Sequence, residues 1–228
     1  MSVGSKSGSG LRQKLIESKK EWARSARLLT GEKITGKRKR LPPGQRLVRD
    51  WPVLDLDVTP KITKEKWRLR LDGLVEKRLI LRWEDFLALP QIELTSDIHC
   101  VTGWSRFNNR WKGVSTKHLV LMMKVAEEAT HCILHCTDGY TTNVLIDRFR
   151  AEGVILAHSW NGAPLTSAHG GPLRVVLPQW YFWKSAKWIR RIEFVSADRP
   201  GFWESRGYHN DGDPWNEERY QEQCDLVP

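Results

Sequence analysis

The sequence predicts an α+β domain built of mixed sheets and hairpins with few helices. Three observations predict it. Short apolar runs alternate with polar residues or sit between turn signals, the pattern of strands. Asp-Gly, the dipeptide that tight hairpins favour, occurs between such runs at Asp72-Gly73 and Asp138-Gly139. Helical spacing is confined to brief stretches with no repeated strand–helix–strand unit, which argues against a doubly wound parallel sheet. The 228 residues, 40% of them apolar, suffice for one sizeable domain with an added arm.

Residues 1–10 are rich in Ser and Gly and predict a flexible start. Leu11, Leu15, Trp22, Ala26 and Leu29 then follow helical spacing, with Gly31 as a stop. A basic, Pro-containing linker covers residues 36–44. Residues 1–40 are therefore expected to form a basic N-terminal arm with one helix, and residues 41–228 the compact domain. Residues 67–71 form a strand that turns at Asp72-Gly73 and returns through residues 74–83. Trp83, Phe86 and Leu87 share one face of a short helix that ends at Pro90. Ile92, Leu94 and Ile98 alternate with polar residues on a half-buried strand that runs into His99 and Cys100. A loop is expected over residues 101–113, followed by a helix capped by Ser115 and carrying Leu119, Met122 and Met123. Residues 132–136 and 141–146 form a second hairpin around Asp138-Gly139. The apolar run 173–177 between Pro172 and Pro178 predicts a buried strand, and residues 188–195 predict another. From Asp198 onward the chain is polar, aromatic and turn-rich, which suits a lid over a pocket or a structural wrap.

Lys and Arg number 37 against 27 Asp and Glu, a net charge of +10. Such an excess suits an anionic partner: nucleic acid, anionic lipid or a small anionic ligand. Much of it falls on the arm, where it reads first as a solvated lead-in. Nucleic-acid binding is the alternative, disfavoured because basic residues are not interleaved with aromatics on one sheet. No segment reaches the roughly 18 apolar residues of a membrane span. The N-terminus shows neither an apolar signal core nor a twin arginine, and the four cysteines form no Cys-x-x-Cys pair. A cytoplasmic protein with reduced thiols is expected. No Cys-x-x-Cys-His attachment site for covalent haem is present.

Cys100 ends a strand and opens a polar, aromatic loop, the place where a scaffold presents functional groups. Arg106, Arg110 and Lys112 would favour its thiolate, a soft ligand suited to a transition metal. A buried core cysteine is the plain alternative. A cysteine nucleophile is a second one, with His99 or His135 as base, although His99 adjoins Cys100 on a strand and points to the opposite face. His131, Cys132, His135 and Cys136 resemble a zinc site by spacing, but alternation places the two histidines on one face and the two cysteines on the other. The segment His169-Gly-Gly-Pro-Leu-Arg174 offers paired glycines that let backbone approach a ligand, and an arginine within an apolar strand that calls for an anionic partner. Lys184, Ser185, Ala186 and Lys187 add cations, a hydroxyl and loop amides. Together these suggest a pocket for an anionic cofactor tail, with a structural salt bridge as the alternative for Arg174.

These residues also carry a family resemblance. Cys100 followed by Trp104-Ser105 resembles the metal-cysteine motif of the molybdenum-carrying methionine-sulfoxide reductase subunit. The segment 169–174, Pro178, and Ser185-Ala186-Lys187-Trp188 resemble sulfite oxidases in order and spacing. The resemblance spans about residues 48–196 and implies the sulfite oxidase molybdopterin-binding fold. It further implies a molybdenum-molybdopterin cofactor, with Cys100 ligating the metal beside the two dithiolene sulfurs of one pterin. Thr137 then matches a pterin-contacting threonine, and His169 and Arg174 match pterin or phosphate contacts. Ser185, Ala186 and Lys187 match the phosphate-binding turn. Arg49, Asp50 and Trp51 fall where the reductase has a cofactor loop of different sequence. Arg106 is a candidate for orienting an anionic or S-oxide substrate. The implied chemistry is two-electron oxo transfer on a small sulfur- or nitrogen-oxide substrate, with an external electron donor or acceptor. The export signal of the reductase, and the dimer and haem domains of sulfite oxidases, are not expected here.

Overall fold

In the computed structural model of the chain, residues 7–25, 40–56 and 58–221 are described. In chain order they form α1 (Ser7–Arg24), β1 (Arg46–Leu47), β2 (Arg68–Gly73), β3 (Leu79–Arg82), α2 (Trp83–Ala88), β4 (Gln91–Cys100) and β5 (Trp104–Ser115). Then follow α3 (Thr116–Met123), β6 (His131–Cys136), β7 (Thr141–Leu145), α4 (Ile146–Phe149), β8 (Ile155–Trp160), β9 (Ala163–Pro164), β10 (Arg174–Val176) and β11 (Ile189–Val195). Two sheets result. One runs β1-β5-β8-β10, with β4 paired to β5 and β9 to β8; the other runs β3-β2-β11-β6-β7. Both mix parallel and antiparallel pairs: β1 joins β5 and β11 joins β2 in parallel. The architecture is the α+β class that the sequence pattern predicts.

Each sheet buries one face. Leu69 and Leu71 of β2, Leu134 of β6 and Ile192 and Phe194 of β11 alternate into a core shared with Phe86 of α2 and Leu119 of α3. A second core gathers Ile98, Trp104, Trp111, Tyr181, Trp203 and Tyr208, and Ile16 and Ala23 of α1 are part of it. Tyr140 packs against both cores. The functional cavity described below lies along this junction.

Four sequence expectations are corrected. Asp72-Gly73 does not form the hairpin turn but ends β2. Asp72 is held by Arg70 and Arg191, and Gly73, at φ +96°, lies so near β11 that a Cβ would stand 2.1 Å from the Phe194 carbonyl oxygen. The chain turns back afterwards, before β3. The expected loop 101–113 is mostly β5, twelve residues long, paired from Cys100↔Trp104 to Gln91↔Val114. Its buried Asn109, Trp111 and Gly113 alternate with exposed polar residues, and the polar character of the segment hid that period. Ser115 precedes α3 without a side-chain cap; Thr116 instead donates its hydroxyl to the carbonyls of Phe149 and Val154. On α2, Leu87 faces solvent while Trp83 and Phe86 are buried.

The first helix also differs in phase. It begins at Ser7, inside the stretch expected to be flexible, and buries Ile16, Lys19 and Ala23, at i, i+3 and i+7. Leu11 of the expected apolar face is exposed. Ala26, Leu29, Gly31 and Cys224 lie outside the described residues. The second hairpin, β6–β7, and strands β10 and β11 stand where the pattern places them. On β6 the cysteines are buried among apolar side chains while the two histidines are half-buried on the other face. Among the described residues no group of three or more His, Cys, Asp or Glu is placed to hold a metal ion.

Candidate functional site: a thiol and two cations in one cavity

Cys100 is the last residue of β4, and the reversal into β5 fixes its position. Gly103, at φ +92°, donates its N–H to the Cys100 carbonyl at 3.0 Å, closing the turn. The same carbonyl accepts from Gln45 Nε2 at 3.1 Å. Gln45 Oε1 accepts from the Ser105 hydroxyl at 3.1 Å, and that hydroxyl lies 2.8 Å from His99 Nδ1. Arg219 donates to the carbonyl of Val101. Backbone on both sides of the thiol is thus tied to side chains from remote parts of the chain.

The Cys100 side chain is 6% exposed and lines a cavity with about 940 Å³ of space between atoms, part of it open to solvent. Burial pushes its thiol above the ordinary cysteine range, against the opposing effects of the Thr102 hydroxyl at 3.2 Å and the charges of Lys19 and Arg219. The expected helpers Arg106, Arg110 and Lys112 lie along β5 and are not the charges that act on it. A protonated, buried thiol beside a cavity is a poor free nucleophile; a metal ion displaces its proton and needs no neighbouring base. His99 also makes a poor base, because burial pulls its pKa down to about 4.

Two cations line the same cavity. Arg174, on β10, is 2% exposed and stacks over Phe182 at 4.3 Å. It donates to the carbonyls of His169 at 2.8 Å and Ser185 at 2.6 Å. Lys187 donates to the carbonyls of Leu54 at 3.0 Å and Ala168 at 3.2 Å. Neither makes an ion pair with a carboxylate among the described residues. Burial draws the Arg174 guanidinium down to about 9, and burial together with repulsion from Arg174 draws Lys187 down to about 8. Buried charges are ordinarily paired, so the buried Arg174, held by carbonyls, with the half-buried Lys187 beside it, offers a site for an anion. The structural salt bridge considered for Arg174 is absent among the described residues.

The other sequence-predicted residues divide. Trp51 and His169 line the cavity and stack on each other, with ring centroids 4.0 Å apart and planes 21° from parallel. His169 is fixed through Nε2 on the Trp51 carbonyl at 3.1 Å and Nδ1 on Thr166 Oγ1 at 3.1 Å. Burial holds its imidazole below the ordinary histidine range. Ser185 and Ala186 form a wall, and the Ser185 hydroxyl accepts from the Leu177 N–H at 2.9 Å. Thr137 stands behind the wall, donating to the Trp188 carbonyl at 3.1 Å and so bracing the turn after Lys187.

Arg106, Arg49 and Asp50 are not among the cavity-lining residues. Arg106 donates to the Arg49 carbonyl at 2.9 Å and lies over Trp160 at 4.7 Å, where it supports the segment that carries Trp51. Lys184 is committed elsewhere, in a buried ion pair with Glu204 at 2.7 Å. The paired glycines serve protein rather than ligand: a Cβ on Gly170 would meet the Lys187 side chain at 3.0 Å, and one on Gly171 the Leu165 carbonyl oxygen at 2.3 Å. Sequence reasoning missed Lys19, Asp55, Asp138 and Tyr140 in the wall, and left Trp203 and Tyr208 undecided between lid and wrap. Trp203 and Tyr208 come from the C-terminal segment, which therefore both wraps the second core and roofs the cavity. Lys19 had a signal, a cation in phase with Ile16 and Ala23.

The arrangement combines a soft ligand, flat aromatic walls and two cations that make no ion pair among the described residues, a donor set that fits a metal carried on an anionic aromatic chelate. Comparison with known proteins agrees. Residues 56–203 match the family model described as the oxidoreductase molybdopterin binding domain. The uncharacterized oxidoreductase YuiH of Bacillus subtilis is 48% identical over 182 residues, covering 79% of this chain and 92% of that protein. The protein-methionine-sulfoxide reductase catalytic subunit MsrP of Campylobacter jejuni is 28% identical over 158 residues, 62% of this chain but about half (53%) of that subunit. The crystal structure of the sulfane dehydrogenase SoxCD from Paracoccus pantotrophus superposes with a TM-score of 0.56 at 24% identity, over 61% of this chain and 40% of that one, and so shares its fold. The chain therefore belongs to the oxidoreductase molybdopterin-binding domain family, with the sulfite oxidase-like fold and molybdenum-molybdopterin as its cofactor.

Proposed function

We propose that this oxidoreductase catalyses two-electron oxo transfer on a small sulfur- or nitrogen-oxide substrate, with Cys100 as the protein's ligand to molybdenum. One observation carries the reading: the Cys100 thiol and the cations Arg174 and Lys187 line the same cavity. When bound, the cofactor supplies a centre that takes up or releases one oxygen atom while changing by two electrons. The protein's share is placement. Arg174 and Lys187, with the Ser185-Ala186 turn, hold the phosphate-bearing end, and His169 and Trp51 offer a flat wall to the ring system. The Gln45, Gly103 and Arg219 contacts fix the Cys100 backbone, so the sulfur is held in place at the cavity wall, where it would bind the metal. Trp203 and Tyr208 limit water above it. Reduction of an S-oxide in this site consumes two electrons and two protons and releases water; oxidation runs the reverse, and an external partner supplies or accepts the electrons. Among the described residues no helix is long and apolar enough to cross a membrane.

The test is protein purified from a host competent in cofactor synthesis, assayed for molybdenum content and for turnover of methionine sulfoxide, sulfite and nitrate. The proposal expects about one molybdenum per chain and turnover of at least one of these probes, abolished in Cys100→Ser. A protein without molybdenum, or a Cys100→Ser variant with undiminished turnover, would overturn it.

A further inference from the structure

The five-stranded sheet buries Leu69, Leu71, Ile192 and Phe194 on its inner face and carries arginines on its outer one. Strand alternation puts Arg68, Arg70 and Asp72 of β2 on the outer face, with Ile80 and Arg82 of β3 and Arg191 and Glu193 of β11. The register sets them in rows across the strands. Ile80 stands opposite Arg70, Arg70 opposite Arg191, and Arg191 opposite His135 of β6; Arg82 stands opposite Arg68 in the next row. Arg68, Arg70 and Arg82 are exposed, and Ile80, a large apolar residue among them, is 67% exposed.

Two carboxylates lie beneath the guanidinium groups. The buried Asp72 takes Nε of Arg70 and, at 2.9 Å, Nε of Arg191. Glu193 takes Arg199 Nη2 at 2.6 Å and Arg191 Nη1 at 3.3 Å, and lies 3.0 Å from His135 Nε2. Arg68 and Arg82 make no ion pair among the described residues, so five arginines face two carboxylates and the face keeps an excess of positive charge. Asp72 and Glu193 hold three of the guanidinium groups in place, which lowers the ordering cost that a docking partner must meet. The long cationic side chains of β2, β3 and β11 on this face are all arginine, the cation that protein interfaces enrich while they deplete lysine. A single-stranded nucleic acid calls for aromatic rings between the cations, and these rows contain none. An acidic protein surface calls for planar donors around an apolar spot, and Ile80 is that spot. The face also runs on to the cofactor cavity. One register pair beyond Arg191 and His135 the sheet ends at Ile189 and Cys136, and the chain continues there into Lys187 on one side and Thr137 on the other.

We propose that this arginine face docks an acidic electron-carrier protein, the external partner that the oxo-transfer reading above requires and on which this inference rests. The carrier presents carboxylates to Arg68, Arg70, Arg82 and Arg199 and an apolar side chain to Ile80. It exchanges one electron at each encounter, so two encounters complete one turnover. In S-oxide reduction two protons enter from water and one water molecule leaves.

The experiment uses the molybdenum-loaded protein and a [2Fe–2S] ferredoxin as the acidic carrier. Calorimetry measures the affinity for oxidised ferredoxin, and stopped flow measures the rate at which reduced ferredoxin passes its electron to the protein. Arg70→Glu combined with Arg82→Glu is expected to lower both at least tenfold at about 20 mM salt, and by no more than about twofold at about 300 mM. Reduction by methyl viologen radical, which needs no docking, should stay within about twofold of wild type. Arg70→Gln combined with Arg82→Gln is expected to lose about threefold, which keeps the test decisive if the Glu variant fails to fold. A control, Lys117→Glu with Arg110→Glu, makes the same change in net charge at exposed positions off this face and should retain affinity within about twofold. A wild type that does not bind ferredoxin, an equal loss in the control, or binding through these arginines without electron transfer would overturn the assignment. Tighter binding of a thymidine oligonucleotide through the same arginines would also overturn it, by making the face a nucleic-acid surface. If electrons enter through this face but methionine sulfoxide, sulfite and nitrate are all left unconverted, the oxo-transfer reading fails while the docking surface stands. If these probes are converted but charge reversal leaves ferredoxin binding unchanged, the docking surface alone fails.

Discussion

Arg174 offers the sharpest perturbation of the cofactor cavity. Its guanidinium is buried, and burial lowers its pKa from 12.5 to about 9. That fall corresponds to about 5 kcal/mol against folding with the charge in place. The sign follows from the direction: the penalty is fully present below about pH 9 and is relieved as the pH rises towards the ordinary arginine value. Two carbonyl hydrogen bonds, to His169 and Ser185, work the other way and are worth about 1.5–3 kcal/mol each. The two contributions nearly cancel. Arg174→Met, which keeps the stem and removes the charge, should therefore leave the cofactor-free protein within about 2 kcal/mol of wild type, a melting-temperature change of no more than roughly 4–8 °C. The loaded protein should respond differently, because the cofactor's anionic group loses its buried partner. We expect molybdenum retained after gel filtration to fall at least tenfold, and the rise in melting temperature that loading gives the wild type to disappear. Calorimetry of both proteins with and without cofactor, together with elemental analysis, reads each quantity. An Arg174→Met variant that unfolds more than about 5 kcal/mol more easily when empty, yet keeps its molybdenum, would refute the reasoning. It would show the guanidinium to be a structural strut rather than half of an anion site.

Other outcomes follow from the same contacts. Lys187, depressed to about 8 in the free cavity, takes up a proton when an anion arrives, so cofactor loading should weaken about tenfold between pH 7 and 9. Lys187→Met should flatten that dependence in a loading assay, and an equal slope in both proteins would contradict it. Gly73→Ala places a Cβ against the Phe194 carbonyl at a positive φ and should cost roughly 2–4 kcal/mol in urea denaturation; a cost below about 0.5 kcal/mol would show that β2 and β11 separate easily. Removing one partner of the buried Lys184–Glu204 pair should cost about 3–5 kcal/mol, by Lys184→Met or Glu204→Gln, while Lys184→Met combined with Glu204→Met should cost well under the sum; strict additivity would mean that the two charges do not interact.

The parts legible in the sequence are those with local signatures. The β6–β7 hairpin carries its Asp-Gly turn between apolar runs, and β10 is an apolar run between prolines, so period and punctuation suffice. Cys100, His169, Arg174 and Lys187 were legible because each is chemically conspicuous in its surroundings: a cysteine opening a polar turn, an arginine in an apolar strand, a lysine beside small residues. What stayed hidden depends on distant chain. Asp72-Gly73 has the composition of a turn, but Gly73 is required by the approach of β11, some 120 residues onward. The strand β5 is polar along most of its length because β1, β4 and β8 pair with its backbone while much of one face meets water. Arg106 lies six residues from Cys100, yet its side chain turns to the Arg49 carbonyl and Trp160, since neighbours along a strand face opposite sides. Lys19 enters the cavity from a helix whose docking residues, Tyr208 and Tyr220, lie near the other end of the chain.

The central claim is that the Cys100 sulfur binds the metal. X-ray absorption at the molybdenum edge, on wild type and on Cys100→Ser loaded with the same cofactor, tests it directly. Three sulfur scatterers around molybdenum are expected in the wild type, two from the pterin and one from Cys100, and two in the variant. The same number of sulfurs in both proteins would contradict it.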